Sequence, residues 1–303
     1  MTLTRGIVVR SQSGFFTVDT EEEQLTARLR GRFKKGRKEG DLIAVGDWVH
    51  LSKHEDGTVM IEEIEERESK FSRMAPMARG DYEQIIIANL DQTVFVFSCA
   101  DPSPKMRMLD RFLIIAEEQG IPSMIVANKS DLLSRREAKR LFGHYPRLGY
   151  ELIFTSAKKK RGLRKLRKKL DGKISVLAGP SGVGKTSLLN ALQPNLGLAV
   201  REVSEGTRKG KHTTVVREMF PLEKGGYIAD TPGLKALSLW DIEPEELDAY
   251  FPELAERVPD CQFSSCTHIE EPGCAVIEAV ENGRIHPERY ESYLRIRLGA
   301  YDY

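Results

Sequence analysis

The sequence has few cysteines and no long apolar run, and both absences limit what the protein can be. Its 303 residues include 4 cysteines, and all but Cys99 lie between positions 261 and 274. Such clustering predicts a metal site in a reducing compartment rather than a disulfide framework. The apolar runs at 84–90 and 111–116 are far shorter than the ~20 residues that cross a bilayer. The N-terminus also lacks a signal peptide pattern, so we expect a cytoplasmic protein with no membrane partner.

Acidic residues are missing from two long segments, although the net charge of the chain is only +1. Residues 28–38 carry 7 basic side chains and residues 158–169 carry 9, with no Asp or Glu in either segment. Segregated charge of this kind favours a polyanionic partner that meets one face of the protein. One such segment alone is more often solvated surface, but two together favour nucleic acid.

The first 75 residues have the composition of short strands separated by turns. Because five short strands in this length fit a small barrel, we predict an OB-type β-barrel at 1–75 that binds RNA. A barrel used only to pack against the next domain is the alternative. The predicted strands span residues 6–11, 14–20, 24–33, 46–52 and 57–64.

Beyond residue 80 the pattern changes to strands that alternate with helices, as far as about residue 192. This alternation predicts a parallel sheet with helices on both faces. After about residue 240 the chain becomes helical and irregular. We therefore predict a multidomain α/β protein with domains at 1–75, 80–238 and 239–303.

Residues 179–187, GPSGVGKTS, match the phosphate loop G-x-x-x-x-G-K-[ST] between a predicted strand and a predicted helix. Its glycines allow successive N–H groups to point at phosphate oxygens. Lys185 is predicted to reach the β- and γ-phosphates, and Thr186 to supply a hydroxyl to Mg²⁺. The predicted phosphate-binding residues are Gly179, Pro180, Ser181, Gly182, Val183, Gly184, Lys185, Thr186 and Ser187.

A second motif, N-K-S-D at 128–131, follows a predicted strand and is typical of guanine recognition. Asp131 can accept hydrogen bonds from N1–H and the 2-amino group of guanine, Asn128 adds a polar contact, and the Lys129 stem covers the purine face. The next strand ends in S-A-K, where the Ala157 N–H is expected to reach guanine O6. Both loops belong at the carboxyl edge of the predicted sheet. The predicted base-binding residues are Asn128, Lys129, Ser130, Asp131, Ser156, Ala157 and Lys158.

The two motifs occur in the reverse of the order found in ordinary switch GTPases, where the phosphate loop comes first. We therefore predict a circularly permuted P-loop GTPase domain, since permutation preserves the packed contacts of a sheet. The permuted order makes the segment after Gly233 lead straight into the C-terminal domain. Nucleotide state can then be passed to that domain mechanically.

Residues 227–233, YIADTPG, form the second phosphate-side element. Asp230 is predicted to hold Mg²⁺ through a water, and the Gly233 N–H to sense the γ-phosphate. Between this element and the phosphate loop, residues 205–216 have the composition of a loop that nucleotide orders. Thr213 or Thr214 is expected to donate a hydroxyl to Mg²⁺, unless both merely begin the next strand.

Leu234 stands after D-T-P-G, where many switch GTPases carry the glutamine that positions water. We therefore expect slow intrinsic hydrolysis. His212 is the candidate for orienting the water, so His212, Thr213 and Thr214 form the predicted catalytic set. The alternative is that His212 binds RNA or is only solvated.

The segment CQFSSCTHIEEPGC at 261–274 contains three cysteines and one histidine. Cys261, Cys266, His268 and Cys274 match a closed Zn²⁺ shell, which is structural because no coordination position stays open. Buried free cysteines are the alternative. Cys99 lies alone in an apolar strand and is predicted to be core.

Taken together, the sequence closely resembles the circularly permuted ribosome small-subunit-dependent GTPase A family of bacteria. The resemblance covers nearly the whole chain: VGDWV at 45–49, N-K-S-D, S-A-K, the phosphate loop, GKHTT at 210–214, D-T-P-G and the cysteine cluster. It implies a slow GTPase, stimulated by the small ribosomal subunit, that acts late in subunit maturation and helps to release assembly factors. It also implies that the barrel and the zinc domain contact ribosomal RNA.

The segment 158–169 is more basic than this family leads us to expect, so its helix is predicted to extend the RNA surface. We expect a monomer that binds GTP and GDP. Two other functions remain open. One is an RNA-binding module that holds GTP only as a structural ligand; the other is a protein-trafficking switch, which the barrel, the cysteine cluster and the basic segments disfavour.

Overall fold

The structure, a computed structural model, describes residues 3–31, 41–77, 80–196, 217–230 and 242–300. Side chains at 73–81, 217 and 230 are not among those described. None of the helices in these parts of the chain combines the length and apolarity needed to cross a bilayer.

The N-terminal part is a closed barrel of five strands. Strands β1 and β2 are joined by a two-residue turn in which Ser13 and Gly14 both have positive φ, 51° and 81°. This is the turn type whose twist matches that of a hairpin. Pairing of β3 with β5 is parallel and the other pairs are antiparallel, which gives the closed order β1-β2-β3-β5-β4-β1. The strands are β1 (Thr4–Gln12), β2 (Phe15–Thr20), β3 (Gln24–Leu29), β4 (Trp48–Lys53) and β5 (Val59–Ile64).

All five predicted strands of the barrel are confirmed. Alternate residues face inward, and Val8, Val18, Ala27, Leu51 and Ile61 form the packed interior. The third strand is shorter than predicted, because β3 ends at Leu29.

A hairpin that the sequence analysis did not predict follows the barrel. Its strands β6 (Lys70–Met77) and β7 (Gly80–Ala88) pair antiparallel. The predicted boundary between residues 75 and 80 falls inside this hairpin. Gln119, at the end of the first long helix, exchanges hydrogen bonds with the backbone of Ser72, so the hairpin is tied to the α/β part of the chain.

Six further strands form the central sheet, in the order β10-β9-β8-β11-β13-β12. The predicted parallel sheet is confirmed for the first five of these. Strand β12 is antiparallel to β13, because a turn at 222–226 is too short for the crossover that a parallel pair requires. The strands are β8 (Gln92–Ser98), β9 (Ser123–Asn128), β10 (Glu151–Phe154), β11 (Ile174–Ala178), β12 (Arg217–Pro221) and β13 (Tyr227–Asp230).

Helices cover both faces of this sheet, as predicted. Residues of β8 alternate between the two cores: Phe95 packs with Phe112 of α1, whereas Val96 belongs to the cluster that contains Leu166 of α3. Cys99, at the end of β8, is buried in the first core as predicted. The helices are α1 (Met106–Glu118), α2 (Arg135–Phe142), α3 (Leu163–Leu170) and α4 (Lys185–Leu192).

The barrel and the central sheet are joined edge to edge. Strand β1 pairs antiparallel with β12, with Arg10 opposite Glu218, and this pairing makes one sheet of eleven strands. The Tyr227 hydroxyl adds a hydrogen bond to Asp19 of the barrel at 2.9 Å.

The C-terminal part packs on α1 through helices α5 (Pro252–Ala255), α6 (Ala275–Glu281) and α7 (Pro287–Arg297). A buried ion network lies in this contact. The Arg289 guanidinium donates to Glu253 at 2.6 and 3.1 Å and to Asp110 of α1 at 2.8 Å, although Arg289 is only 1% exposed. Asp110 also accepts hydrogen bonds from Tyr145 and Ser292. This network fixes the C-terminal part against the central domain.

We predict that Arg289→Met lowers the free energy of unfolding by about 3–5 kcal/mol, because Asp110 and Glu253 lose their buried counter-charge. Urea denaturation measures the change. Arg295→Met on the same helix is the matched control, since Arg295 pairs with Glu291 at an exposed site, 3.2 Å away; it should change stability by less than about 1 kcal/mol. Equal effects of the two substitutions would refute the role given to the buried network.

Candidate nucleotide site and metal cluster

Three loops meet at the carboxyl edge of the central sheet. N-K-S-D follows β9, S-A-K follows β10, and the phosphate loop follows β11, while β8 lies between β9 and β11. The carboxyl ends of neighbouring parallel strands form the usual ligand crevice of such a sheet. Two motifs in reversed chain order are thus brought together in space.

The phosphate loop has the backbone that its glycines predict. Gly179, Gly182 and Gly184 have φ values of +153°, +80° and +92°. A Cβ at Gly179 would lie 2.1 Å from the Val96 carbonyl oxygen, and one at Gly184 would lie 2.7 Å from the Asn128 side-chain nitrogen. Only glycine fits these two positions without displacing Val96 or Asn128.

Lys185 begins helix α4, and its ammonium lies inside the loop. Its Nζ donates to the carbonyl oxygens of Gly179 at 2.8 Å and Pro180 at 3.0 Å. Val183 is buried and anchors the loop in the core, whereas Thr186 and Ser187 are half-buried in the first turn of the helix. A cation and a helix N-terminus therefore converge on one concave backbone, which is an arrangement that binds phosphate.

Asn128 ties the three loops to one another. Its Nδ2 donates to the Val183 carbonyl oxygen at 2.9 Å, and its Oδ1 accepts from the Thr155 hydroxyl at 3.1 Å and the Ala157 N–H at 3.3 Å. Because Asn128 is 1% exposed, each of these bonds lies in a buried environment, where losing one costs most.

This role of Asn128 is one that the sequence analysis missed. The sequence predicts that Asn128 and the Ala157 N–H contact the purine, whereas in the structure they bond to each other. Their contacts with a base stay predictions. No feature of the N-K-x-D pattern itself signals a bond to a loop some 55 positions away along the chain.

The Asp131 carboxylate is held in the charge state that the predicted guanine contact would require. A hydrogen bond from the Ser156 side chain, helped by the charges of Lys158 and Lys159, holds the pKa of Asp131 below its ordinary value. The carboxylate is therefore ionised and can only accept hydrogen bonds, as the donor edge of guanine requires.

The neighbours of Asp131 are fixed by backbone bonds. Ser130 N–H donates to the Thr155 carbonyl oxygen at 3.0 Å, and the Lys129 ammonium donates to the Asp101 carbonyl oxygen. Lys129 itself has a left-handed φ of +56°, which sets the tight turn into the motif.

The remaining predicted residues are only partly described. Asp230 ends β13 with its backbone level with Leu177, two residues before the phosphate loop. Gly233 and the predicted catalytic residues His212, Thr213 and Thr214 lie outside the described residues, as does Leu234.

The predicted metal ligands converge in the C-terminal part. The ligand atoms of Cys261, Cys266, His268 and Cys274 all lie within 4.8 Å of one another. His268 Nδ1 is 3.6 Å from Cys261 Sγ and 3.3 Å from Cys274 Sγ. Tetrahedral Zn²⁺ with bonds of about 2.3 Å to sulfur and 2.0 Å to nitrogen requires S···N separations of about 3.5 Å. The donor set and its spacing thus fit a zinc ion.

The cysteines of this cluster carry no disulfide. Burial raises the pKa of the Cys266 thiol to about 12 and also raises that of Cys274. Thiols of this kind ionise at neutral pH when a cation binds them, so metal binding and thiol deprotonation are coupled here.

Two acidic residues that the sequence analysis missed support the cluster. Asp248 Oδ2 lies 3.0 Å from His268 Nε2 and so directs Nδ1 toward the thiols. Desolvation acts to raise the pKa of Glu271, but hydrogen bonds from Thr267 and the Ile269 N–H outweigh it and lower the pKa to about 2. Glu271 lies within the quoted E-P-x-C pattern and could have been found there. Asp248 lies 20 residues before His268 with no such signal.

The barrel, the reversed order of the motifs and the joined loops define a circularly permuted P-loop protein with a guanine-nucleotide site. Comparison with known proteins agrees. The profile of the RsgA GTPase family matches residues 64–240, and that of the RsgA N-terminal domain matches residues 5–61. The chain belongs to the RsgA GTPase family.

Full-length relatives and solved structures support this assignment. "Small ribosomal subunit biogenesis GTPase RsgA" of Gemmatimonas aurantiaca is 45% identical over 300 residues, 98% of this chain and 97% of the relative. The protein of that name from Thermotoga maritima is 40% identical over 297 residues, 96% and 95% of the two chains. The crystal structure of YjeQ from Thermotoga maritima matches with a TM-score of 0.79 and 37% identity over 99% of both chains. The structure of YloQ, described as a circularly permuted GTPase, matches with a TM-score of 0.74 and 32% sequence identity. The match covers 99% of this chain and 95% of that chain.

We predict that Gly184→Ala weakens guanine-nucleotide binding at least tenfold, because the added Cβ would push Asn128 away and separate the phosphate loop from the base-reading loop. Fluorescence titration with labelled GDP measures the affinity. Gly172→Ala is the control, since Gly172 also has a left-handed φ, +73°, but open space around its Cβ position. A similar loss in both variants would mean that backbone strain, not the contact with Asn128, is responsible.

We predict that Cys266→Ser abolishes metal binding while nucleotide binding persists, because all four ligands belong to the C-terminal part and none is a residue of the phosphate or base loops. Metal analysis of protein purified without chelator should give one zinc per wild-type chain and almost none in the variant. Cys99→Ala, which removes a cysteine outside the cluster, should retain the metal. Metal-free wild-type protein would contradict the assignment.

Proposed function

We propose that this protein is a GTPase of small ribosomal subunit biogenesis, with slow intrinsic hydrolysis that the subunit stimulates. The observation that carries the proposal is the hydrogen bond from the Asn128 side chain to the Val183 carbonyl oxygen, which joins the phosphate loop to the N-K-S-D loop in one crevice. The process is that of the relatives described above, which are small ribosomal subunit biogenesis GTPases.

In this proposal the phosphate loop holds the phosphates of GTP through its N–H groups and Lys185. Mg²⁺ would be held by Thr186 and, through water, by Asp230, and it would neutralise charge on the phosphates. The Lys185 ammonium and the N-terminus of α4, which converge on the glycine-rich loop, are the structural feature that fits a bound phosphate here. Asp131 selects guanine, Ser130, Ser156 and Ala157 line the base, and Lys129 and Lys158 flank it. The Gly233 N–H senses the γ-phosphate.

Hydrolysis is proposed to be slow because Leu234 can neither donate nor accept a hydrogen bond to water. His212 is proposed to orient the water, and Thr213 or Thr214 would supply a hydroxyl to Mg²⁺. GTP and water are converted to GDP and phosphate.

The proposed partner is the small ribosomal subunit with its RNA, in the cytoplasm, and the protein acts as a monomer that helps release assembly factors. The barrel domain at 1–75 supports RNA binding, because the Arg28 guanidinium lies 4.5 Å above the exposed ring of Phe15. Aromatic and cationic surfaces of this kind suit RNA bases. We propose two further domains in addition to the barrel. They are the GTPase domain at 80–238 and a C-terminal domain at 239–303 that holds zinc as a structural ion.

Single-turnover hydrolysis of GTP, with and without small subunits, tests the proposal. We expect small ribosomal subunits to accelerate phosphate release. Large ribosomal subunits are the control and should leave the rate unchanged. If GTP stays intact with both, the protein uses GTP only as a structural ligand, which is the alternative function.

We predict that Asp131→Asn weakens GTP binding at least tenfold and favours xanthosine triphosphate, whose 2-oxo group matches an amide donor. An unpaired buried polar group costs about 1–3 kcal/mol, which is enough for this change. Competition between the two nucleotides measures it. Asp171→Asn, at the end of α3, provides a control with the same charge change. Unaltered preference in the Asp131 variant would remove this residue from the base pocket.

A further inference from the structure

The second acid-free segment forms a continuous basic face beside the base-reading loops. Helix α3 buries Leu163, Leu166 and Leu170 against the central sheet, so its cations point outward. Arg164 and Lys168 are one helical turn apart and therefore share the outer face. We call six of the exposed cations of this segment the α3 basic face; they are Lys158, Lys159, Lys160, Arg161, Arg164 and Lys168.

These six cations differ from the other three of the segment in their partners. Glu151 pairs with Lys165 at 3.2 Å and with Lys169 at 2.6 Å, and Arg167 donates to the Leu192 carbonyl oxygen. Within the described parts of the chain, no ion pair is formed by a member of the α3 basic face. Its charge is therefore available to a partner, and a field of one sign attracts a polyanion.

The shape of the face indicates which kind of polyanion. Within α3, Arg164 and Lys168 lie about 6 Å apart along the helix axis. Arg161 lies two residues before the helix begins. The charges follow a line and do not converge on a point, so they match successive phosphates of a strand better than one small anion. RNA is the polyanion that the proposed partner offers, and in this respect the inference rests on the proposed function.

The turn that begins the face is built into the base site. Ser156 and Arg161 exchange backbone hydrogen bonds of 3.1 and 3.0 Å. The Lys159 N–H donates to the Ser156 hydroxyl at 3.0 Å, and that side chain in turn binds Asp131. Gly162 closes the turn so tightly that a Cβ there would lie 2.2 Å from the Phe154 carbonyl oxygen. A partner that holds Arg161 therefore acts on the same compact turn that positions Ser156 and Ala157.

We propose that the α3 basic face is an RNA-docking surface of the GTPase domain and that RNA bound there is coupled to guanine-nucleotide binding through the turn at 156–162.

The test compares two variants that each lose three charges. In the first, Arg161→Gln, Arg164→Gln and Lys168→Gln remove half of the α3 basic face without touching a residue assigned to the nucleotide. The control carries Lys139→Gln, Arg140→Gln and Arg147→Gln. These exposed cations lie at the end of α2 and just before β10. Helix α2 packs on the opposite face of the sheet from α3.

Binding of a short, labelled single-stranded RNA is measured between about 50 and 200 mM salt. Since each phosphate contact on a single strand contributes about 0.7 to the slope of log affinity against log salt, the first variant should lose about 2 from that slope. The control should keep the wild-type slope. Equal losses in both variants would overturn the assignment of the face, as would a wild-type slope in the first. Competition by polyglutamate as effective as that by unlabelled RNA would overturn RNA as the partner.

GDP affinity, measured with and without the same RNA, tests the coupling. RNA should change the wild-type affinity about fivefold or more, and should have less than a twofold effect on the first variant. The two proteins should bind GDP equally without RNA. If RNA leaves the wild-type affinity unchanged, the coupling is refuted. Failure of wild-type protein to bind GDP at all would refute the proposed function instead, and the RNA slopes would still decide the docking surface.

Discussion

One buried amide holds the nucleotide crevice together. Asn128 bonds at once to the loop after β11, through Val183, and to the loop after β10, through Thr155 and Ala157. These loops follow strands that are separated in the sheet by β9 and β8, so no backbone ladder connects the two directly. Phosphate binding and base recognition can act as one site only if their loops keep a fixed distance, and the Asn128 side chain sets that distance. Position 184 must be glycine for the same reason, because a Cβ there would collide with the Asn128 side chain.

The barrel and the C-terminal part are attached to the central domain by different kinds of interaction. The barrel joins the central sheet through backbone pairing of β1 with β12, which is directional and sets the register. The C-terminal part joins α1 through buried charges, among which Arg289 neutralises Asp110 and Glu253 only in one arrangement. A buried ion pair tolerates little displacement, because a buried charge that loses its counter-charge destabilises the fold.

These attachments give meaning to the permuted chain order. Strand β12 begins at Arg217, directly after the segment that contains His212 and the two threonines, and it is held by the barrel. Strand β13 ends at Asp230, and the chain then leads toward the C-terminal part, which contains the metal cluster. The first predicted switch segment therefore leads into the strand that pairs with the barrel, and the second leads toward the C-terminal part. A change at the γ-phosphate would reach the barrel through the pairing of β12 with β1 and the C-terminal part along the chain.

The sequence alone determined those features that depend on short spacings: the strands of the barrel, the alternation of β8–β11 with α1–α4, the phosphate loop, N-K-S-D and the four clustered metal ligands. Local patterns suffice there, because periodicity, glycine freedom and ligand spacing act within a few residues. Tertiary structure alone decided the Asn128 bond to Val183, the pairing of β1 with β12, the Asp248 contact with His268 and the burial of Arg289 between two carboxylates. Each of these joins groups that lie far apart in the chain, and their meeting depends on how the packed elements arrange themselves in space.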